Sequence, residues 1–233
     1  MATPDRQSTK SPRKTPLQRR VKEERRTLYR RVISEAAERV FAQKGAERSR
    51  MREIAAEAGI SLGTLYGVID GKDSLLDAIH QTRMREFLDC IRRARDAHDE
   101  TLESHLAVLT HGAAYFLERP DFLRMCCRDG YGWASGSPTS AHADNAWSEG
   151  VCIPRDLFER GISEAIYVPE DPDLLVRKML AMKQVELAYW LDQGLETPHE
   201  IVLNRLEDQF IRAFCIPDHK NQAVIQAYGQ END

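Results

Sequence analysis

Residues 49–72 bring together hydroxyl and basic side chains of the kind that bind phosphate oxygens. Hydroxyl, ammonium and guanidinium groups donate hydrogen bonds to nucleic-acid phosphates, and such contacts position a protein without reading the base sequence. The candidate donors in this segment are Ser49, Arg50, Arg52, Ser61, Thr64, Tyr66 and Lys72. Their combination indicates binding of a polyanion.

Two short helices joined by a tight corner are predicted to hold these groups. Gly59 stands where the first helix should end, because glycine adopts a left-handed backbone without strain. Ser61 is suited to cap the second helix, and Leu65 and Ile69 to attach it to the core. The first helix presents a small apolar face made of Ile54, Ala55 and Ala58. This pattern is typical of a helix-turn-helix, whose second helix enters the DNA major groove, although an ordinary helical hairpin is the alternative.

The stretch GISLGTLYGVIDGKDSLL closely resembles the N-terminal module of the TetR family of bacterial transcription regulators. The resemblance extends from Arg25 to Leu76. It implies a DNA-binding domain followed by a helical body that binds an effector and dimerises, and it assigns a phosphate-binding role to Thr64, Tyr66 and Lys72. The matching residues are Gly45, Ile54, Ala55, Gly59, Ser61, Gly63, Thr64, Leu65, Tyr66, Lys72, Leu75 and Leu76.

Three positions depart from the family pattern. The family often has a helix-capping threonine at the position of Arg50, so Ser49 is predicted to take the cap and Arg50 to bind phosphate. Gly67 replaces a larger side chain that usually faces bases, and Ile69 replaces an aromatic residue. Gly67 therefore removes one potential base contact and costs about 1 kcal/mol of helix propensity relative to alanine.

Few direct polar contacts with base edges are expected. If the second helix enters the groove by its N-terminal end, the residues that face base edges are Leu62, Gly63 and Gly67. None of them has a polar side chain. Specificity is then expected to depend on apolar contact with thymine methyl groups, on Arg50 or Arg52, and on DNA shape.

Charge is distributed unevenly along the 233 residues. Residues 1–72 hold 17 Lys and Arg against 9 Asp and Glu, a net charge of +8, whereas residues 73–233 hold 16 against 28, a net charge of −12. A basic N-terminal part on an acidic body indicates a polyanionic partner at one end.

Residues 1–22 are polar, basic and rich in proline, which predicts a disordered arm that is either merely solvated or follows DNA phosphates.

Other classes of function have no support in the sequence. The five cysteines form no CxxC pair, the histidines form no HxxxH or HExxH, and no GxGxxG or nucleophile elbow is present. We therefore expect no metal, no cofactor and no enzymatic activity.

Scattered cysteines favour a reducing cytoplasm. No apolar run approaches the length of a membrane span or follows the basic N-terminus as in a secretory signal.

The periodicity predicts an all-α protein of about nine helices. Four segments are expected: a disordered arm over residues 1–22, a three-helix DNA-binding domain over 23–72, a helical effector-binding and dimerisation domain over 73–216, and a polar tail over 217–233. The first helix is predicted over Glu23–Lys44, with an apolar stripe of Leu28, Val32, Ala36, Val40 and Phe41.

The last two helices are predicted to form a dimer interface. Asp171 and Pro172 suit the start of the first of them, and Thr197 with Glu200 forms a potential capping box for the second. Their apolar residues cover more than one face, so a two-fold dimer through residues near 172–214 is expected. Pro154 should kink or split the helix that precedes them.

An effector site is predicted where the helices of the body cross. The candidate lining is Phe116, Met125, Trp133, Trp147, Phe158 and Met182, and for each residue ordinary core packing is the alternative. These side chains indicate a small apolar or aromatic guest. Lys183 and Glu186, three residues apart on a helix, are expected to pair with each other.

Together these features predict a homodimeric DNA-binding transcription regulator, most simply a repressor that an effector releases from an inverted-repeat operator. Two alternatives are a DNA-binding dimer without an effector and a helical enzyme with a chance helix-turn-helix. Activation of transcription is the alternative to repression.

Overall fold

The computed structural model describes residues 15–129 and 141–217, apart from the side chains of Asp129 and of residues 141–148. Trp133, most of the basic arm and the tail after Pro217 lie outside the described residues. Within these ranges the chain forms helices and no β-strand, so the predicted all-α architecture is confirmed. The helices are α1 (Pro16–Lys44), α2 (Met51–Glu57), α3 (Leu62–Tyr66), α4 (Lys72–Asp96), α5 (Thr101–Leu117), α6 (Pro120–Asp129), α7 (Ala141–Ser163), α8 (Pro172–Asp192) and α9 (His199–Phe214).

Helix α1 begins earlier than the sequence predicted. Thr15 accepts a hydrogen bond from the backbone N–H of Gln18, whose side chain accepts one from the Thr15 N–H in return. This capping box, with Pro16 at the first helical position, makes residues 16–22 helical, and their assignment to a disordered arm was wrong. Leu28 is also exposed rather than part of the core; Tyr29 packs against the core while partly exposed, and the first fully buried residue of α1 is Ile33.

Two apolar clusters form the core. One joins the last turns of α1 to α2, α3 and α4, with residues of α5, α6 and α7, and the other joins α5, α8 and α9, with residues of α6 and α7. Helix α4 belongs to the first cluster and packs along α5, so it connects the N-terminal helices to the body. Phe116 on α5 packs against both clusters.

The predicted helix boundaries in the body are partly correct. Asp171 accepts hydrogen bonds from the N–H groups of residues 173 and 174 and caps α8, as expected. The capping box at Thr197 was wrong: α9 has Pro198 at its N-cap with no side-chain cap, and the Thr197 carbonyl instead accepts a hydrogen bond from Trp190 Nε1. Pro154 lies inside α7, which continues past it as one helix.

An aromatic group centred on His105 fills the second cluster. The His105 ring makes edge contacts with Phe158 and Phe210, and its Nδ1 lies 3.1 Å from the Tyr167 hydroxyl. Burial lowers the pKa of His105 to about 3, so the ring is neutral at physiological pH. Gly161 supports this arrangement, because its bare Cα leaves room for the Tyr167 ring.

Candidate DNA-binding surface and internal cavity

Helices α2 and α3 meet at the corner that the sequence predicted. Gly59 has φ +65°, a conformation that favours glycine, and it ends α2. Ser61 then caps α3: its Oγ accepts a hydrogen bond from the Thr64 N–H at 3.0 Å and lies 2.8 Å from Thr64 Oγ1. Leu65 and Ile69 are buried, and they anchor α3 to the N-terminal core.

The opposite face of α3 is open to solvent. Leu62 is 42% exposed and Tyr66 53%, although both are large and apolar enough to be expected inside a protein. Gly63 and Gly67 are also exposed, and a Cβ built at Gly63 would meet only Ser61 Oγ, at 3.9 Å. The predicted base-facing residues therefore form one solvent-facing strip along α3, whose opposite face is packed against the core through Leu65.

The start of α2 differs from the prediction. Arg50, not Ser49, is the N-cap residue, and its N–H donates to Glu53 Oε2 at 3.0 Å. Ser49 is buried and its hydroxyl donates to the carbonyl of Gly45 at 2.7 Å, so it closes the loop after α1 and is poorly placed to contact DNA. The side chains of Arg50 and Arg52 are exposed.

Lys72 has a structural contact that the sequence did not indicate. Its Nζ donates to the carbonyl of Glu47 at 3.0 Å and lies 3.5 Å from the carbonyl of Ser49. The first residue of α4 is thereby tied to the loop between α1 and α2. Since an ammonium group has three donors, a further contact is still available to it.

A chain of polar contacts joins α1 to α4 and α5. Arg83 makes a two-pronged ion pair with Glu38, at 2.7 Å from Nε and 3.0 Å from Nη2, with both side chains largely shielded from water. Arg83 Nη1 also donates to Glu86, which accepts a second hydrogen bond from the Tyr115 hydroxyl at 2.9 Å. The Tyr115 ring lies edge-on to Phe87. No local sequence pattern indicates this network, because it joins residues far apart in the chain.

Phe87 is part of the wall of a partly enclosed cavity. The cavity has a volume of about 80 Å³ and lies among α4, α5, α6, α7 and α8. Apolar side chains make up most of its lining, which consists of Met84, Phe87, Ile91, Val108, Leu109, Phe116, Leu123, Cys126, Gly150, Val151, Pro154, Met179, Leu180, Lys183, Gln184 and Leu187.

Only part of the predicted effector lining belongs to this cavity. Phe116 lines it, whereas Met125 is buried in the core beside it. Phe158 lies in the aromatic group around His105, and Met182 faces the groove between α8 and α9, so neither lines the cavity. The side chain of Trp147, like Trp133, lies outside the described residues. Phe87 and Ile91 of α4 line the cavity, although neither was in the predicted lining.

The predicted pair of Lys183 and Glu186 does not form. Lys183 turns into the cavity, where its Nζ lies 5.3 Å from the ring centre of Phe87 and 5.9 Å from that of Phe116. Glu186 instead accepts a hydrogen bond from Gln209 Nε2 at 2.6 Å and faces Arg205 on α9. Glu186 is therefore oriented by its partners on α9, although its spacing from Lys183 along α8 favours a pair between those two residues.

The described residues contain no group of three or more potential ligands that could hold a metal ion. None of their helices is both long enough and apolar enough to cross a membrane.

Comparison with known proteins supports a relationship that is strongest at the N-terminus. Residues 33–79 match the model of the bacterial regulatory proteins of the tetR family. The chain is 36% identical over 86 residues to the HTH-type transcriptional regulator TtgR of Pseudomonas putida, a match that covers 35% of this chain and only 38% of TtgR.

Solved structures share the fold over about four fifths of this chain. The ketosteroid transcriptional regulator KstR2 of Mycobacterium tuberculosis aligns with a TM-score of 0.70 and 19% identity, over 80% of this chain and 95% of that chain. AibR, solved in complex with isovaleryl coenzyme A and operator DNA, aligns with a TM-score of 0.69 and 20% identity, over 80% of this chain and 100% of that chain. Residues 33–79 therefore carry an N-terminal module of the tetR family type, and the rest of the chain shares the fold of these solved regulators.

Proposed function

We propose that this protein is a homodimeric, effector-responsive repressor that binds double-stranded DNA through α3. The observation that carries the proposal is the exposed strip of Leu62, Gly63, Tyr66 and Gly67 on a helix whose other face is anchored by buried Leu65. A short helix held in this way can enter the major groove without rearrangement. The match of residues 33–79 to the tetR family and the complex of AibR with operator DNA support the same role.

The electrostatics of the N-terminal part favour a duplex partner. Arg50 and Arg52 are exposed at the start of α2. The exposed turns of α1 before Tyr29 add a dense run of basic side chains, namely Arg19, Arg20, Lys22, Arg25 and Arg26. Such side chains contact phosphates and orient the protein, while α3 contacts base edges. Thr64, Tyr66 and Lys72 are the remaining proposed phosphate donors.

Dimerisation is proposed through α8 and α9. Val185 is 68% exposed and Tyr189, one turn later, 50%. Leu174 lies about three helical turns before Val185, so these apolar residues share one side of α8. Ile201 on α9 is exposed as well. A second copy of the same surface would cover these residues in a closed two-fold interface. Light scattering should give the mass of two chains at micromolar concentration, and a stable monomer would contradict this part of the proposal.

Effector control is proposed to pass from the cavity through α4. The cavity of about 80 Å³ is smaller than an engineered apolar cavity of about 150 Å³ that binds benzene. Any larger guest must therefore move the lining apart, including Phe87 on α4. Helix α4 is fixed to α1 by the Arg83–Glu38 pair, so a displacement of α4 changes the position of the DNA-binding helices. The effector can shift the equilibrium between the two positions of the DNA-binding helices only as far as its affinities for the two positions differ.

Selection of bound duplexes from a random pool tests the DNA-binding part of the proposal. The expected result is enrichment of an inverted repeat whose half-sites lie on one side of the helix, as a two-fold dimer requires. Enrichment of a single unrepeated site would contradict the dimer. Absence of enrichment, with folded protein, would contradict sequence-specific DNA binding.

A further inference from the structure

Lys183 stands out because it is a buried cation in an apolar cavity. It is only 8% exposed, and the other lining side chains are apolar except for Gln184 and Cys126. No hydrogen bond or ion pair joins Lys183 to another described residue. A buried ammonium group without a partner is costly, and a partial compensation comes from the faces of Phe87 and Phe116.

The position of Lys183 is not explained by the fold. The neighbouring lysine on the same helix, Lys178, shows the ordinary arrangement: it is exposed and pairs with Glu170 at 2.6 Å. A methionine or leucine at position 183 would fill the same space without the cost of burying a charge. A charge held inside a cavity is explained if an occupant of the cavity supplies the opposite charge.

We propose that the cavity takes an amphipathic anion, with a hydrocarbon or aromatic body and one carboxylate that pairs with Lys183. The inference rests on the proposed effector role of the cavity and names the class of the effector. The apolar lining would cover the body of the ligand, and the ammonium group between Phe87 and Phe116 would receive the acid group. A charge-assisted hydrogen bond in a dry site is stronger than a neutral one, so the charged head would dominate the choice of ligand.

The charge state of Lys183 fits this role. Burial lowers its pKa to about 8, so the group remains mostly protonated at neutral pH and is ready to pair with a carboxylate. No acidic side chain among the described residues lines the cavity and competes for it. Glu186, one turn along α8, is occupied by Gln209 and Arg205, and Cys126 is the other titratable group in the described lining.

Isothermal titration calorimetry with matched ligands tests the proposal in the absence of DNA. The probes are linear carboxylates of four to ten carbons (about the range that a small cavity can open to admit) and phenylalkanoates, each compared with its primary amide. The wild-type protein should bind at least one acid more tightly than the matching amide. Lys183→Met should weaken binding of that acid by about 30-fold or more, and leave the amide unchanged or bound more tightly.

Lys178→Met is the matched control, because it removes a lysine from the same helix outside the cavity. It should leave the affinity for the acid unchanged. A second measurement does not depend on a variant: the wild-type affinity for the acid should fall as the pH rises above about 8, while the affinity for the amide stays constant. Two results would overturn the inference, namely amides that bind as tightly as acids, or acid binding that Lys183→Met does not weaken.

The experiment separates this inference from the proposed function. If acids bind through Lys183 but do not change the affinity for selected DNA, the ligand class stands and the proposed effector role fails. If a neutral ligand releases the protein from DNA and acids do not bind, the proposed function stands and the inference about Lys183 fails.

Discussion

Replacement of Lys183 by methionine should stabilise the unliganded protein, and the gain should depend on pH. The pKa of the ammonium group falls from an ordinary value of 10.5 to about 8 on folding, because burial disfavours the charged form. A tenfold difference in proton affinity corresponds to about 1.4 kcal/mol, so the protonated lysine costs roughly 3 kcal/mol at neutral pH. Methionine has a similar length and no charge, and it removes this cost.

The direction of the pH dependence follows from proton uptake. Between pH 8 and pH 10.5 the unfolded chain holds a proton on Lys183 that the folded chain has lost, so the wild-type stability contribution rises with pH in this range. Below pH 8 the full cost is present, and above pH 10.5 it disappears. The difference in unfolding free energy between Lys183→Met and wild type should therefore be largest near pH 7 and shrink towards zero near pH 10.5.

Urea unfolding at several pH values measures this difference, and Lys178→Met serves as the control. Subtraction of the wild-type curve is necessary because burial also raises the pKa of Cys90 and Cys127, which changes stability in the same alkaline range. A Lys183→Met protein that is less stable than wild type at pH 7, or a difference that is the same at pH 7 and pH 10, would refute the assignment of Lys183 as a buried, uncompensated cation.

Three further substitutions test separate parts of the structure. Gly161→Ala should lower the unfolding free energy by about 3 kcal/mol, because the new Cβ would overlap the buried Tyr167 ring; an unchanged thermal midpoint would contradict that packing. Glu38→Gln should cost about 3 kcal/mol in urea unfolding, because it removes the two-pronged carboxylate partner of Arg83 in a mostly shielded site and leaves Arg83 only its contact with Glu86. A loss below the experimental error would show that the Arg83–Glu38 pair is not important. Gly63→Ala should leave the unfolding free energy unchanged or raise it by up to about 1 kcal/mol, because the new Cβ has space. The same substitution should weaken binding to selected DNA at least tenfold (about 1.4 kcal/mol) in a fluorescence anisotropy titration. Equal affinity of the variant and the wild type would show that Gly63 is not part of the interface.

The parts of the fold that follow local rules could be predicted from the sequence. The left-handed Gly59 and the caps at Ser61 and Asp171 depend on residues within one helical turn, and the structure has them as expected. The same local chemistry was available for α1, since Thr15 and Gln18 form a capping box, but the polar composition of residues 1–22 concealed it.

The cavity and its charge could not be predicted because they depend on tertiary contacts. Lys183 and Glu186 have a spacing that favours a pair, and α9 prevents the pair by offering Arg205 and Gln209 to the glutamate. Phe158 and Met182 are apolar residues of the expected kind, but the crossing of the helices directs them to other places. The Arg83–Glu38 link joins residues 45 positions apart, which no local pattern reveals.

The salt dependence of binding to a selected duplex is the sharpest test of whether this protein is a DNA-binding repressor. A fluorescently labelled duplex with the enriched repeat, and a shuffled duplex of the same composition, would be titrated with protein at about 50 mM and 200 mM salt. We expect tighter binding to the repeat at both salt concentrations, and an affinity about 10³-fold or more lower at the higher one if about six phosphates are contacted. Equal affinity for the two duplexes, or an affinity for the repeat that does not change with salt, would contradict a repressor that binds DNA through α3 and the basic N-terminal helices.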